Sequence, residues 1–194
     1  MRYETSFADN GPVMSSRQQT VVEIAAAVAY GLKSSAAKNN IRQTADFVNG
    51  MIFCGLLVEK GSRAAPRFVE AFRERMPRFR SVIESDSFKD AQLIKARMGQ
   101  HVLGVSEMRP ADMLIHMGLS AEGVIGEIAD EHSLTESEKM DIVIFSIALA
   151  IISTTRDEML DSAFKMVQQV VDEKVDVWDQ LIPSDDEMWG GRGH

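Results

Sequence analysis

Residues 138–153 read EKMDIVIFSIALAIIS, and the last twelve of them, Ile142–Ser153, are the most apolar segment of the chain. A helix that crosses a membrane needs about 20 apolar residues, so this segment is too short to do so. It has no polar face, which is typical of a helix buried on all sides. We therefore expect a central buried helix near 138–153.

The rest of the chain has apolar residues at helical spacing and no long alternation of period two. The chain has 194 residues, 45% of them hydrophobic, which suits one ordinary globular domain and excludes a collagenous or wholly disordered chain. We predict an all-α protein, a single-domain bundle of about seven or eight helices over residues 1–183. Residues 1–14 are expected to be an irregular lead-in and 184–194 a disordered acidic tail.

Helix boundaries are marked by polar residues at the spacing of a capping box, in which two residues three apart satisfy each other's backbone N–H groups. Such pairs are Ser15 or Ser16 with Gln18 or Gln19, then Thr135 with Glu138, and Thr155 with Glu158. We expect each pair to begin a helix.

Glycines and prolines predict further boundaries. Pro77 is expected to end a helix that begins near Ala64, and Gly118 to end a short helix that begins at Pro110. A weaker helix is predicted over 87–103. Gly50 and Gly55 lie on the helix predicted over 41–59, where they would let another helix approach closely.

The last predicted helix is long and amphipathic, and it has the most regular period in the chain. Its apolar positions are Leu160, Phe164, Val167, Val171, Val175, Trp178 and Ile182. Steps of three and four residues place them on one face of the helix. From this seam we predict self-association or a protein partner, with Phe164, Val167, Val171 and Trp178 as contact residues and Trp189 of the tail as a further one.

The net charge of −8 is unevenly distributed. Residues 1–110 have 16 basic and 11 acidic side chains (+5), and residues 111–194 have 5 and 18 (−13). The front half could therefore attract a polyanion that the back half would repel. Within 60–80, arginines with interleaved phenylalanines suggest contact with nucleic acid or an acidic protein, and the acidic half of this same chain is one such surface. The candidates are Arg63, Arg67, Arg73, Arg75, Arg78 and Arg80.

Residues 111–128 resemble a DNA-binding helix-turn-helix, with Gly118 at the turn, Ser120 as the cap of a second helix, and Val124 and Ile128 on one face. The would-be recognition helix, however, has Glu122, Glu127 and further carboxylates, and no Lys or Arg. Because phosphate contacts supply much of the affinity for DNA, two ordinary packed helices are the favoured interpretation.

Few residues suggest catalysis. Asp112 and His116 share a helix face at i, i+4 and are weak candidates for a metal site, but no Glu-x-x-His, His-Glu-x-x-His or phosphate-loop motif accompanies them. Cys54, the single cysteine, lies in an apolar run without a nearby base, which argues against a nucleophile. It also suggests a reducing compartment, since it has no partner for an internal disulfide.

The sequence therefore favours a small soluble interaction or regulatory protein of the cytoplasm that acts through contacts with another protein or with itself. We expect it to self-associate as a homo-oligomer. No cofactor and no membrane association are expected, and we lean against an enzyme. The first alternative is a nucleic-acid-associated regulator that uses 60–80 and 111–128. The second alternative is a metal-dependent helical enzyme.

Overall fold

The computed structural model describes residues 15–39, 41, 43–61, 63–85 and 110–182, which are helical and contain no strand. The six α-helices are α1 (Ser16–Lys38), α2 (Thr44–Glu59), α3 (Ala64–Glu84), α4 (Pro110–His132), α5 (Glu136–Thr154) and α6 (Leu160–Asp179). A short 3-10 turn, Asp157–Met159, leads into α6. The all-α prediction is confirmed for this part of the chain.

Two helices, α2 and α5, are the most deeply buried. Every residue of α5 from Ile142 to Ile152 is buried, and so are residues 50–58 of α2. Helix α5 contacts each of the other five helices, while α2 contacts α3, α4, α5 and α6. The buried apolar side chains form one continuous cluster. The most apolar segment of the sequence thus lies at the centre of the core. Because it has no polar face, its free energy is lowest when all of its sides are removed from water.

Two of the three predicted capping boxes are confirmed. Ser15 pairs reciprocally with Gln18 at the start of α1, and Thr135 does so with Glu138 at the start of α5. The third prediction is wrong. Thr155 is the C-cap of α5, where its backbone N–H donates to the Ile151 carbonyl, and the residue that precedes the 3-10 turn makes no side-chain cap.

The predicted end of α3 at Pro77 is also wrong, since the helix continues to Glu84. A proline inside a helix removes one hydrogen bond and costs about 3 kcal/mol. Beyond it, however, Phe79, Val82 and Ile83 are buried, and the Phe79 ring meets the Phe145 ring of α5 edge to face at 5.4 Å. Burying these side chains offsets the cost, because each large apolar side chain contributes about 1.5–3 kcal/mol.

The third correction concerns Gly118, which lies inside the continuous helix α4 and not at a turn. The helix-turn-helix interpretation of 111–128 is therefore wrong. Gly118 is buried against the Phe53 side chain of α2, and a Cβ atom there would overlap the ring. The glycine is required by this close helix contact and not by a left-handed backbone conformation.

Gly50 and Gly55 have the role that the sequence predicted. A Cβ atom at Gly50 would overlap Met117 of α4, and one at Gly55 would overlap Phe68 of α3. Gly118 of α4 likewise lies against Phe53 of α2, so each of the two helices has a glycine where a large side chain of the other helix packs. This reciprocal arrangement lets the two helices approach closely.

The predicted count of seven or eight helices is not confirmed. Residues 110–132 form one helix where two were expected, and the predicted helix 87–103 lies outside the described residues, as do the lead-in 1–14 and the tail 184–194. Among the helices that the structure describes, none combines the length and apolarity that a membrane crossing requires.

Candidate interaction surface

The predicted apolar seam of the last helix packs against this chain's own core. Phe164 and Val171 are buried together with Leu160 and Val175. Val167, Trp178 and Ile182 are partly buried against the same cluster. Trp189 lies outside the described residues. This face of α6 is thus occupied by α2, α3 and α5, which are its helical neighbours.

Helix α6 also has a second apolar face, which its neighbours leave exposed. Met166 is 64% exposed, Val177 56%, Met159 53% and Leu181 41%. Met166 and Val177 are eleven residues apart on α6, which places them on one line of the helix. Met159 is the last residue of the 3-10 turn before α6, and Leu181 follows the end of α6, so these two residues flank the helix. Ala163 and Val170 lie on the same line of α6, but they are partly buried and pack against the chain's own core. We call this set the α6 outer stripe: Met159, Ala163, Met166, Val170, Val177 and Leu181.

The arginines of the basic stretch are largely paired within the chain. Arg73 contacts Asp172 at 2.8 Å, Arg75 contacts Asp141 at 2.8 Å, and Arg80 contacts Asp161 at 2.6 Å. All three carboxylates belong to the acidic half of the sequence. The +5 and −13 halves therefore neutralise each other in part across the contacts of α3 with α5 and α6.

The other three arginines of the set have different surroundings. Arg67 forms an ion pair with Glu59 at 2.9 Å and donates to the carbonyl oxygens of Glu59 and Lys60 at the end of α2. Arg78 lies 5.8 Å from the centre of the Phe79 ring. Arg63 is exposed and precedes α3.

These contacts oppose the nucleic-acid hypothesis for residues 60–80. An arginine that pairs with a carboxylate of its own chain must give up that partner before it can neutralise a phosphate. For Arg75, giving up its carboxylate partner would be unfavourable, because its side chain is only 18% exposed and it also donates to the Ser137 hydroxyl. Burial raises the pKa of Asp141, its partner, although Arg75 and Arg78 oppose that shift.

Lys33 is a buried cation that the sequence analysis missed. Its side chain is 4% exposed, and its Nζ donates to Thr44 Oγ1 at 3.3 Å and lies 5.9 Å from the centre of the Phe47 ring. Burial lowers the pKa of the Lys33 amine to about 8. The signal in the sequence is its spacing, four residues after Ala29 and three before Ala36, which places it on a buried face of α1.

The weak metal candidates do not form a cluster. Asp112 and His116 lie on α4, and no group of three or more potential ligands occurs within the described ranges. His116 is exposed and lines a shallow cavity of about 50 Å³ between α1 and α4, together with Leu32 and Met117. Cys54 is completely buried, and burial raises the pKa of its thiol, which makes it a poor nucleophile.

The α6 outer stripe is the main surface that the sequence analysis did not separate from the core seam. Two apolar lines run along the same helix, and spacing alone does not say which one the neighbouring helices cover. The usable signal was the pair Met159 and Met166, which are seven residues apart and off the core seam. Exposed methionines are typical of adaptable contact surfaces.

Comparison of the whole chain with known protein families, with curated proteins and with solved structures finds no match.

Proposed function

We propose that this protein is a small helical interaction or regulatory protein that acts through protein–protein contacts, with the α6 outer stripe as its contact surface. The observation that supports the proposal is the exposure of Met166 and Val177 on one line of α6, together with Met159 just before the helix and Leu181 just after it. Single exposed apolar residues are common on protein surfaces, whereas an aligned set is typical of an interaction site.

The length of the stripe suits a helical partner. Helix α6 has 20 residues and is about 30 Å long, with Met159 and Leu181 just beyond its two ends. An amphipathic helix of similar length would meet the stripe with residues at steps of three and four. The flexible side chains of Met159 and Met166 would adapt to the shape of such a partner.

A reducing compartment such as the cytoplasm remains our proposal for the location. Cys54 is the single cysteine of the chain, and it is free and buried. A free buried cysteine behaves as a small apolar residue and is compatible with a compartment that keeps thiols reduced.

Site-specific photo-crosslinking in the cells that make the protein tests this proposal. A photoreactive amino acid is placed at Met166 or at Val177, and at Lys165 as a matched control on the same helix. Lys165 is exposed but lies away from the stripe. We expect a discrete covalent product from positions 166 and 177 and none from position 165. A product of twice the 21.5 kDa chain mass would identify a second copy, and any other mass a different protein.

Equal products from all three positions, or none from any, would contradict the proposal. Either result would mean that the stripe is not a preferred contact surface, since the three positions differ chiefly in the face of α6 on which they lie.

A further inference from the structure

We propose that the Lys33 amine is a modification site for carbon dioxide, which adds reversibly to Nζ and forms a carbamate at the start of α2. The proposal concerns α1 and α2 and is independent of the α6 outer stripe.

The Lys33 amine is buried without a carboxylate partner in the part of the chain that the structure describes. Its side chain is 4% exposed, and its hydrogen bond there joins Nζ to Thr44 Oγ1 at 3.3 Å. The centre of the Phe47 ring lies 5.9 Å from Nζ. An ammonium ion buried without an opposite charge is unfavourable, because nothing replaces its lost hydration. The position therefore favours the neutral amine over the ammonium ion.

The end of α2 that Lys33 contacts is suited to a negative charge. Thr44 is the first residue of α2, and the N-cap, Gln43, makes no side-chain hydrogen bond to the helix. The first N–H groups of a helix have no partner within it, and together with the helix dipole they stabilise an anion and disfavour a cation. A carbamate on Nζ would replace a cation with an anion beside these N–H groups and the Thr44 hydroxyl.

Asp46, the acidic residue of the same helical turn, does not oppose a negative charge at this place. Thr44 and Phe47 are three residues apart and both contact the amine. Asp46 lies two residues after Thr44, roughly 200° around the helix, and therefore on a different face. Burial raises the pKa of Asp46 and lowers that of Lys33, and neither group contributes to the shift of the other.

The path to the amine suits a small uncharged reactant. Gln43 and Ala45, on either side of Thr44, are exposed, so this end of α2 lies at the protein surface. Nζ is thus close to solvent although its side chain is covered. Carbon dioxide is uncharged and has three atoms, so it can pass where a larger or charged reagent is excluded.

The reaction needs the neutral amine. The lone pair of Nζ attacks the carbon of carbon dioxide, and the electron pair of one C=O π bond moves to its oxygen. Nζ then releases a proton to water, which leaves the carbamate anion and one proton in solution. Because burial lowers the pKa of Lys33 to about 8, about half of the amine is neutral at pH 8. For an exposed lysine the neutral fraction is below about 1%.

Chemical trapping on the full chain tests the proposal. The protein is equilibrated near pH 8 with ¹³C-labelled carbon dioxide, and triethyloxonium then converts each carbamate to a stable ethyl ester that mass spectrometry locates. We expect Lys33 to carry the ester at more than about tenfold the level of Lys38, the exposed lysine at the end of α1. Lys33→Met should remove the signal, whereas Lys38→Met should leave it unchanged.

Thr44→Val tests the position of the carbamate at the start of α2. The variant keeps the amine covered but removes the hydroxyl, so the Lys33 signal should fall about fivefold, the effect of one hydrogen bond. Thermal unfolding gives a second measurement. Carbon dioxide bound to the folded chain should raise the melting temperature of the wild type and leave that of K33M unchanged.

No ester at Lys33, or equal labelling of Lys33 and Lys38, would overturn the proposal. An unchanged signal in T44V would overturn the placement at the start of α2. Circular dichroism verifies that the variants fold before they are compared. If K33M does not fold, the ratio of Lys33 to Lys38 labelling in the wild type still decides the question.

Discussion

The Phe53 side chain of α2 lies directly against Gly118 of α4, in a space that a single added methyl group would fill. Phe53 is completely buried. One turn away along α2, Gly50 makes the matching space for Met117. The contact between α2 and α4 thus depends on two glycines that are 68 residues apart in sequence.

Replacing Gly118 with alanine should lower the free energy of unfolding by about 1–3 kcal/mol, because the new methyl group overlaps the Phe53 ring. Gly123→Ala is the matched control on the same helix. Nothing lies within 4 Å of a Cβ at Gly123, so this change should stabilise the protein by up to about 1 kcal/mol through helix propensity. Urea denaturation measures both, and a stabilising G118A would contradict the observed packing.

Pro77→Ala should raise the free energy of unfolding by about 1–3 kcal/mol. The residue is exposed inside α3, and alanine restores the N–H that proline lacks. Pro66 is the control, since it lies in the first turn of the same helix, where N–H groups have no helical partner. P66A should change stability by less than about 1 kcal/mol. The prediction fails if thermal unfolding shows P77A to be the less stable of the two variants.

The buried Lys33 amine should make stability rise with pH above about 8. Its pKa is about 8 in the folded protein against 10.5 for an unperturbed lysine, so the unfolded chain binds more protons between these values. The gain across this window is at most about 3 kcal/mol. Lys33→Met should therefore be more stable than the wild type at pH 7, with a difference that shrinks towards pH 10.5.

Lys38→Met is the control for Lys33, because Lys38 is an exposed residue of the same helix. It should change stability by less than about 1 kcal/mol at either pH. Guanidinium titrations at pH 7 and pH 10 distinguish the two variants. A K33M protein that is less stable than the wild type at pH 7 would show that the ammonium group contributes more than its burial costs.

The Arg17–Glu138 ion pair should make the protein sensitive to acid. Arg17 Nε lies 2.6 Å from Glu138 Oε1, and this bond, with the Thr135 backbone N–H, lowers the pKa of Glu138 to about 2. The stability that Glu138 contributes is present above pH 4.5, the ordinary pKa, and is lost as the pH falls towards 2.

Glu138→Gln tests this acid dependence. At pH 7 the variant should lose about 1 kcal/mol, the usual effect of weakening a helix cap. Its stability should then fall less steeply than that of the wild type between pH 4.5 and pH 2. Parallel curves over this range would exclude Glu138 as the titrating group.

Two arginines of α3 should differ in their effect on stability. Arg75→Ala leaves the half-buried Asp141 without its partner and should cost about 2 kcal/mol. Arg73→Ala breaks an exposed pair with Asp172 and should cost less than about 1 kcal/mol. Denaturation curves give both values. If instead both variants keep wild-type stability and abolish salt-sensitive binding of DNA or RNA, these arginines are binding residues.

The helical elements were largely predictable because their determinants are close together in sequence. The pair Thr135 and Glu138 is three residues apart, and it begins α5 as expected. By contrast, Pro77 was expected to end α3, and the reason it does not is the burial of Phe79 against Phe145, 66 residues away. A local rule failed there because a distant contact offset its cost.

The candidate site was less predictable than the fold. The charge asymmetry is visible in the sequence, and it suggests that the arginines could pair with carboxylates of the acidic half. Which pairs form, however, depends on how α3 packs against α5 and α6. The α6 outer stripe was not separated from the seam that includes Phe164 and Val171, since both lines of residues have helical spacing.

The sequence by itself determined that the described part of the chain is helical, where α1 and α5 begin, and that residues 142–152 are buried. These properties follow from hydrogen bonds and apolar spacing within a few turns. Only the tertiary structure decided that Gly118 lies at a close helix contact, that Arg75 forms an ion pair with Asp141, and which face of α6 stays exposed. The physical reason is that each of these depends on a surface supplied by another helix, which for Gly118 and Arg75 is more than 60 residues distant, and helical periodicity does not specify which helices meet.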